Sequence, residues 1–222
     1  MREYNIWQSS TRSSLEYIIK EILNEIPYSI SGGFAVQIHS YVNKDKSFRR
    51  NTKDIDILVL REYREKLLDI LKDKKIYYKI QKSVVRDSLD IILDEGPKIS
   101  ISFVDNLPNY EKLNINKIIV NVENLESLLV NKFSTYNFRT VDKDITDLCQ
   151  VIKLLKKKEV NMDEIIEAMK RYNIVEDAEK MFFVFLELNG LIKSPEKYID
   201  IDAEEKNNFS YYLKSKKLIC KK

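Results

Sequence analysis

The sequence predicts an α+β protein in which a sheet-containing N-terminal part is followed by an α-helical C-terminal region. Strand-like runs, bounded by turn residues, alternate with helical segments between residues 28 and 104. From residue 125 onward the apolar residues recur only at helical spacing. We therefore expect a domain boundary near residue 120, with a core at 1–120 and a helical domain at 121–222.

Each element is assigned from its local pattern, helices from three- to four-residue apolar spacing and strands from short aliphatic or alternating runs. The predicted helices are 13–26, 34–41, 62–71, 125–138, 143–157, 163–171 and 178–188. The predicted strands are 28–30, 54–60, 76–80, 89–93 and 99–104. Ser13 and Ser14 are candidate caps of the first helix, and residues 94–97 are predicted to connect the last two strands as a hairpin.

The composition is that of a soluble globular protein. Hydrophobic residues make up 44% and charged residues 33% of the 222 residues. The net charge of +3 is too small to require a nucleic-acid partner. The N-terminus lacks the apolar core of a signal peptide, and no window approaches the roughly 20 apolar residues of a membrane span. We therefore expect a cytoplasmic protein without membrane contact.

The cysteines and the single histidine offer little chemistry. Cys149 and Cys220 lack the spacing of a zinc site, and we expect both to be ordinary thiols. His39 falls in an apolar helical stretch, where a packed or surface histidine is expected rather than a catalytic one. Reactions that need histidine are therefore disfavoured.

Gly32 and Gly33 are adjacent in a chain that contains only four glycines. They stand between a predicted strand and a predicted helix. A glycine turn at this place lets the backbone approach a phosphate, and the helix presents its free N–H groups to the anion. A tight packing turn is the alternative interpretation.

Asp54 and Asp56 alternate at the start of a predicted strand, so their side chains point to the same face. Mg²⁺ relieves the repulsion of such a pair because it binds carboxylate and triphosphate oxygens together. Arg49, Arg50 and Lys53 add positive charge just before the carboxylates. The pattern therefore indicates a metal and phosphate site, with a purely structural pair as the alternative.

Two ordered motifs carry a resemblance to a known superfamily. Residues 31–35, Ser-Gly-Gly-Phe-Ala, and 50–56, Arg-Asn-Thr-Lys-Asp-Ile-Asp, resemble the GG-x-A and R-x-T-x-D-x-D motifs of AbiEii-like toxins and small aminoglycoside nucleotidyltransferases. Residues 126–132, followed by Arg139 and 143–148, are similar to their E-x-L-L-x-x-K, R and K-D-x-x-D-L block. These are branches of the DNA-polymerase-β nucleotidyltransferase superfamily, and the resemblance covers residues 29–155.

The resemblance implies a small mixed sheet flanked by helices, with the helical domain completing an active-site cleft. It implies transfer of a nucleoside monophosphate from a nucleoside triphosphate to an acceptor hydroxyl, with release of pyrophosphate. Asp54 and Asp56 would then hold Mg²⁺ or Mn²⁺. The expected nucleotide contacts are Ser31, Gly32, Gly33, Arg50, Thr52 and Lys132, with Thr52 orienting the carboxylates; Lys132 and Asp147 are also expected to be catalytic.

The sequence departs from the superfamily at the third carboxylate. Many members carry it on a later strand, where this chain has Ser100 in a run of aliphatic residues and serines. Asp90, Asp105 and Asp147 are the candidate replacements. We expect Asp90 and Asp105 to face solvent, whereas Asp147 has motif support, with a helix-surface ion pair as its alternative.

The acceptor implied by the resemblance is an RNA end, a protein or a small hydroxyl compound, and the protein is a candidate toxin–antitoxin component. A homodimer or a cognate antitoxin or toxin is a candidate partner. The second hypothesis is a catalytically impaired nucleotide-binding or antitoxin-like regulatory protein, and the third is a structural interaction module.

Phe182, Phe183 and Phe185 are expected in the core or in a dimer surface rather than stacked on a base. The C-terminal Lys-rich residues 214–222 are expected to form a solvated tail.

Overall fold

The computed structural model describes residues 4–48, 50–82, 87–93, 96–139 and 142–220, with the backbone alone at 82 and 137–139. The chain forms two compact units, Met1–Asn124 and Leu125–Lys222. A sheet with flanking helices makes up the first unit, and the second unit is helical. The predicted α+β class with a helical C-terminal region is therefore confirmed.

A mixed sheet of seven strands organises the first unit. The strands are β1 Tyr28–Ser31, β2 Asp54–Leu60, β3 Tyr78–Lys82, β4 Asp87–Ile91, β5 Lys98–Val104, β6 Tyr110–Ile115 and β7 Ile118–Glu123. Their order is β3-β4-β5-β2-β1-β7-β6, so β2 is central. The β2–β5 and β1–β7 pairs are parallel, and the other four pairs are antiparallel.

Alternation along β2 places the aspartates of this strand. Ile55, Ile57 and Val59 are fully buried. Because successive strand residues point to opposite faces, the intervening Asp54 and Asp56 share the other face, where they are half-buried. Burial of the aliphatic residues thus fixes the direction of both carboxylates.

The helices of the first unit are α1 Ser9–Tyr17, α2 Gly32–Val42 and α3 Arg64–Asp73. A π-helical turn, Ile18–Ile22, continues α1, and a 3₁₀ turn, Arg61–Tyr63, precedes α3. The expected caps Ser13 and Ser14 are wrong, because the helix begins four residues earlier and both lie inside it. Gln8 occupies the N-cap without a capping side-chain hydrogen bond, which explains why the capping pattern gave no signal there.

The hairpin of β6 and β7 was not predicted. Its turn residues, Asn116 and Lys117, both have positive φ, 50° and 75°. Such turns usually carry Asn-Gly, and lysine at the second position hides the pattern. Of the predicted hairpin at 94–97, residues 94 and 95 lie outside the described residues.

The second unit contains five α-helices among its described residues: α4 Leu125–Arg139, α5 Asp142–Leu155, α6 Met162–Arg171, α7 Glu176–Leu188 and α8 Ala203–Ser215, with a 3₁₀ turn at Pro195–Lys197. The ring of Phe133 lies 4.9 Å from the rings of both Phe182 and Phe185. Phe183 is also buried, so the expectation that the three phenylalanines of α7 pack in a core is confirmed. Nowhere in the described ranges is there a helix long and apolar enough to span a bilayer.

The C-terminal end of the second unit differs from the prediction. Cys149 and Cys220 form a disulfide with Cα atoms 5.1 Å apart, so the expectation of ordinary thiols is wrong. Leu218 is buried, and the backbone N–H of Cys220 donates to Asn189 Oδ1 at 2.9 Å. The expected solvated tail is therefore wrong for these residues. A pairing across 71 residues has no local sequence signature. The start of α8 does have one, a capping box formed by Asp202 and Glu205, which the sequence-based prediction missed.

Candidate active site

The glycine turn joins β1 to α2 and lies against two charged side chains. Gly32 has a φ of +66°, in the left-handed region that favours glycine. A Cβ atom at Gly32 would overlap Asp56 Oδ2, and one at Gly33 would overlap the guanidinium of Arg50. Glycine is therefore required here both by the backbone conformation and by the close approach of a carboxylate and a cation.

The carboxylate pair of β2 lies beside this turn. In the strand register, Asp56 stands opposite Ser31 on one side and Ser100 on the other, and Asp54 stands opposite Lys98. The Thr52 hydroxyl donates to the backbone oxygen of Asp54 at 3.0 Å and to its Oδ1 at 3.3 Å. The structure thus brings Gly32 beside Asp56 and Thr52 beside Asp54.

Asp90 does not face solvent as expected, since it is only 8% exposed. Its Oδ1 accepts a hydrogen bond of 2.7 Å from Ser100 Oγ, and its Oδ2 accepts hydrogen bonds from Gln81 Nε2 and, at 3.1 Å, from Lys98 Nζ. The alternation of β4 predicted a solvated face, but the side chains of Gln81 from β3 and of Lys98 and Ser100 from β5 surround the carboxylate. Polar partners on those strands make burial of the carboxylate tolerable.

Asp105 behaves as the sequence predicted. Its side chain is 79% exposed, and it accepts a hydrogen bond of 2.8 Å from Arg61 Nε at the surface. The bond raises the pKa of the Arg61 guanidinium. An exposed ion pair of this kind contributes little to stability.

Ser31, an expected nucleotide contact, has a partner within the chain. Its hydroxyl donates to Glu123 Oε2 at 2.5 Å, and Glu123 is fully buried at the end of β7. His39 Nε2 lies 2.8 Å from the backbone oxygen of Glu123, and His39 is buried as expected for a packed histidine. Sequence reasoning missed Glu123 because it stands 92 residues from Ser31. These contacts hold the Gly32 turn and α2 against the end of β7.

The second motif block forms a buried ion-pair cluster in the second unit. Lys132 Nζ lies 2.7 Å from Asp147 Oδ2 and 3.8 Å from Asp144 Oδ1. All three side chains are buried, so Asp147 is not a helix-surface acid. Arg49 and the side chain of Arg139 lie outside the described residues.

The donor chemistry at β2 fits a magnesium ion that is bound together with a substrate. Across the described ranges, no group of three or more His, Cys, Asp or Glu residues is placed to hold a metal. Mg²⁺ is usually bound by one or two carboxylates, with waters and substrate phosphates completing its octahedron. Asp54 and Asp56 are two such carboxylates on one face of β2, and the missing side chain at Gly32 lets the turn approach Asp56 Oδ2 closely.

The sheet order, the glycine turn and the carboxylate pair of β2 together define a nucleotidyltransferase fold. Among solved structures, the chain is similar to the antibiotic-resistance factor ANT(2'')-Ia, with 13% identity and a TM-score of 0.52 over 75% of this chain and 93% of that one. It is also similar to the lincosamide antibiotic adenylyltransferase LnuA, with 15% identity and a TM-score of 0.50 over 68% and 99% of the two chains.

A third similar structure is the Megavirus polyadenylate synthase, with 12% identity and a TM-score of 0.51 over 95% of this chain and 50% of that chain. At these identities the comparisons establish the fold. No protein-family model matches the sequence, and no curated protein matches it either.

Proposed function

We propose that the protein is a magnesium-dependent nucleotidyltransferase that transfers a nucleoside monophosphate from a nucleoside triphosphate to an acceptor hydroxyl. The observation that carries the proposal is the close packing of the Gly32 turn against the Asp56 carboxylate, with Arg50 beside Gly33. A phosphate-binding turn and a metal-binding strand are thereby combined in one place. The acceptor oxygen would form a bond to the α-phosphorus while the bond to the β-phosphate oxygen breaks, releasing pyrophosphate.

The residues of the first unit have separate roles in this reaction. Asp54 and Asp56 hold Mg²⁺ or Mn²⁺, which when bound supplies charge neutralisation at the triphosphate. The N–H groups at the start of α2 and the guanidinium of Arg50 bind phosphate oxygens. Thr52 keeps Asp54 oriented through its two hydrogen bonds. Transfer of this type depends mainly on positioning and on electrostatic stabilisation.

Ser31 takes a positioning role rather than direct contact with the nucleotide. Its hydroxyl is engaged by the buried Glu123 carboxylate, so it fixes the turn and leaves phosphate contact to the backbone. In the second unit, Lys132 and Asp147 are proposed to serve the reaction as a pair.

The acceptor is proposed to be an RNA end or a small hydroxyl compound. The similar structures include one in complex with adenylyl-2''-tobramycin, one with lincomycin bound and a polyadenylate synthase. Both acceptor classes therefore occur on this fold. We also propose, from the resemblance of the motifs to AbiEii-like toxins, a role as one component of a toxin–antitoxin pair, with a cognate partner or a homodimer as the candidate assembly.

The second candidate function is a nucleotide-binding or antitoxin-like regulatory protein with impaired catalysis. It is favoured by Ser100, which stands opposite Asp56 where the superfamily motif leads us to expect a carboxylate. Such a protein would bind nucleotide and Mg²⁺ but would not release pyrophosphate.

The deciding experiment measures pyrophosphate release with each of the four ribonucleoside triphosphates and Mg²⁺. Total RNA and then a panel of small hydroxyl compounds serve as acceptors. The Asp54→Asn/Asp56→Asn variant removes both charges at nearly constant volume, and Asp105→Asn is the matched control at the exposed carboxylate. Release that only the double variant abolishes supports the enzyme. Mg²⁺-dependent nucleotide binding without pyrophosphate release in the presence of any acceptor supports the regulatory protein. Absence of both nucleotide binding and pyrophosphate release contradicts both hypotheses.

A further inference from the structure

Four polar residues form one cross-strand row on the face of the sheet that carries Asp54 and Asp56: Asp90 of β4, Ser100 of β5, Asp56 of β2 and Ser31 of β1. Asp90 stands opposite Ser100, Ser100 opposite Asp56 and Asp56 opposite Ser31. Residues directly opposite each other on paired strands lie on the same face. With strands about 4.8 Å apart, the Cα of Ser100 lies about 5 Å from that of Asp56, and the Cα of Asp90 about 10 Å away. Ser100 is therefore the nearer of the two to a nucleotide bound at Asp56.

The two oxygens of Asp90 have different partners. Gln81 Nε2 and Lys98 Nζ both donate to Oδ2, which fixes the plane of the carboxylate. Oδ1 receives the Ser100 hydroxyl at 2.7 Å, within the range of a charge-assisted O–H to carboxylate bond. Lys79 of β3 is the register partner of Asp90 and adds a second basic residue beside it. The carboxylate is thus oriented by two donors and directed at one hydroxyl.

We propose that Ser100 and Asp90 together accept the proton of the acceptor hydroxyl, a role that rests on the proposed nucleotidyltransferase function. As the acceptor oxygen bonds to the α-phosphorus, its proton passes to Ser100 Oγ, and the proton of Ser100 passes to Asp90 Oδ1. Ser100 is neutral before and after the step, and Asp90 gains one proton. The electron pair of the broken phosphoanhydride bond leaves with pyrophosphate. Asp90 acts through Ser100 and is therefore a positioning residue in this scheme.

The alternative carboxylates fit this role less well. Asp105 is at the end of β5 beyond the row and is bonded to Arg61 at the surface. Asp147 belongs to the second unit, where it is buried against Lys132. Of the three candidates for a third acid, Asp90 alone shares the row of Asp56.

The test compares Asp90→Asn, Ser100→Ala and their double variant in a steady-state pyrophosphate-release assay. Each single variant is expected to lower kcat by on the order of 100-fold or more, the usual contribution of a positioned proton acceptor, with KM unchanged. The double variant should be no slower than the worse single variant, because the two residues act as a unit. Ser102→Ala removes a hydroxyl from the same face of β5 two residues further on, and it should leave kcat unchanged.

Two further measurements separate the proposed role from a structural one. Mn²⁺ binding measured by electron paramagnetic resonance should be unchanged in Ser100→Ala, because the carboxylates of β2 remain. The exchange variant Asp90→Ser/Ser100→Asp keeps one carboxylate and one hydroxyl in the row and should recover most of the lost kcat.

Several outcomes overturn the inference while leaving the proposed function in place. These are wild-type kcat in Asp90→Asn, additive losses in the double variant, and loss of Mn²⁺ binding in Ser100→Ala. Failure of the wild-type protein to release pyrophosphate, or release that persists in Asp54→Asn/Asp56→Asn, overturns the proposed function and this inference with it.

Discussion

Replacing Gly32 with alanine tests the contact on which the candidate site depends. Gly32 has a φ of +66°, and an added Cβ would overlap Asp56 Oδ2. The backbone strain of a non-glycine residue in this conformation costs roughly 1–2 kcal/mol. Because the overlapping atom is the end of a flexible side chain, Asp56 would rotate away and the backbone would keep its path. The cost to folding is therefore expected to stay near the backbone term.

The effect on metal binding should be larger than the effect on folding. Disturbing the contacts that orient a metal-binding carboxylate typically lowers metal affinity by about 10- to 100-fold. Gly190→Ala is a matched control, because Gly190 has a φ of +70° and nothing within 4 Å of its added Cβ. Both variants carry the same backbone strain, and only Gly32→Ala disturbs Asp56. The difference between them isolates the contact.

Urea unfolding and Mn²⁺ titration with a non-hydrolysable nucleotide analogue measure the two effects. We expect each variant to lose about 1–2 kcal/mol of unfolding free energy, and only Gly32→Ala to lose affinity for Mn²⁺ and nucleotide. Wild-type affinity in Gly32→Ala would refute the reasoning that the turn and Asp56 form one site. Equal affinity loss in Gly190→Ala would refute it as well, because strain alone would then account for the effect.

The remaining predictions concern stability. Cys149→Ser should lower the unfolding free energy in oxidising buffer by about 4 kcal/mol, from the chain-entropy term for a 71-residue separation from Cys220; a reductant should destabilise the wild type similarly and leave the variant unchanged. The pKa of Glu196 is lowered to about 2, mainly by the hydrogen bond from Lys206. The stabilisation from this bond should therefore be present above pH 4.5 and lost as the pH falls through about 2; an ordinary pKa for Glu196 in an NMR titration would contradict this. Lys132→Met removes a buried cation that lies beside two buried carboxylates and should destabilise the second unit by on the order of 3–5 kcal/mol in urea; an unchanged midpoint would argue against a buried pair.

The central part of the first unit could be predicted because its signals are local. Gly32 and Gly33 mark a turn within two residues, and Asp54 and Asp56 show their common face by alternation alone. The strand, turn, helix and strand around them follow from the same short-range patterns. Both motif positions accordingly come together in the structure.

The features that escaped prediction depend on contacts between distant residues. Burial of Asp90 is decided by Ser100 and Lys98 on the neighbouring strand, which alternation within β4 cannot reveal. The bond from Ser31 to Glu123 joins residues whose proximity requires the parallel β1–β7 pair. Polarity alone therefore predicted solvent where the sheet supplies hydrogen-bond partners.

The disulfide between Cys149 and Cys220 closes the C-terminal part of the chain into a covalent ring. The ring contains the end of α5 and all of α6, α7 and α8, with the preceding chain attached as a linear branch. One peptide-bond cut between α7 and α8 would open the ring without releasing a fragment. The nicked protein would therefore keep its full mass until the disulfide is reduced. The uncut chain, in contrast, would remain a branched loop even when it is unfolded.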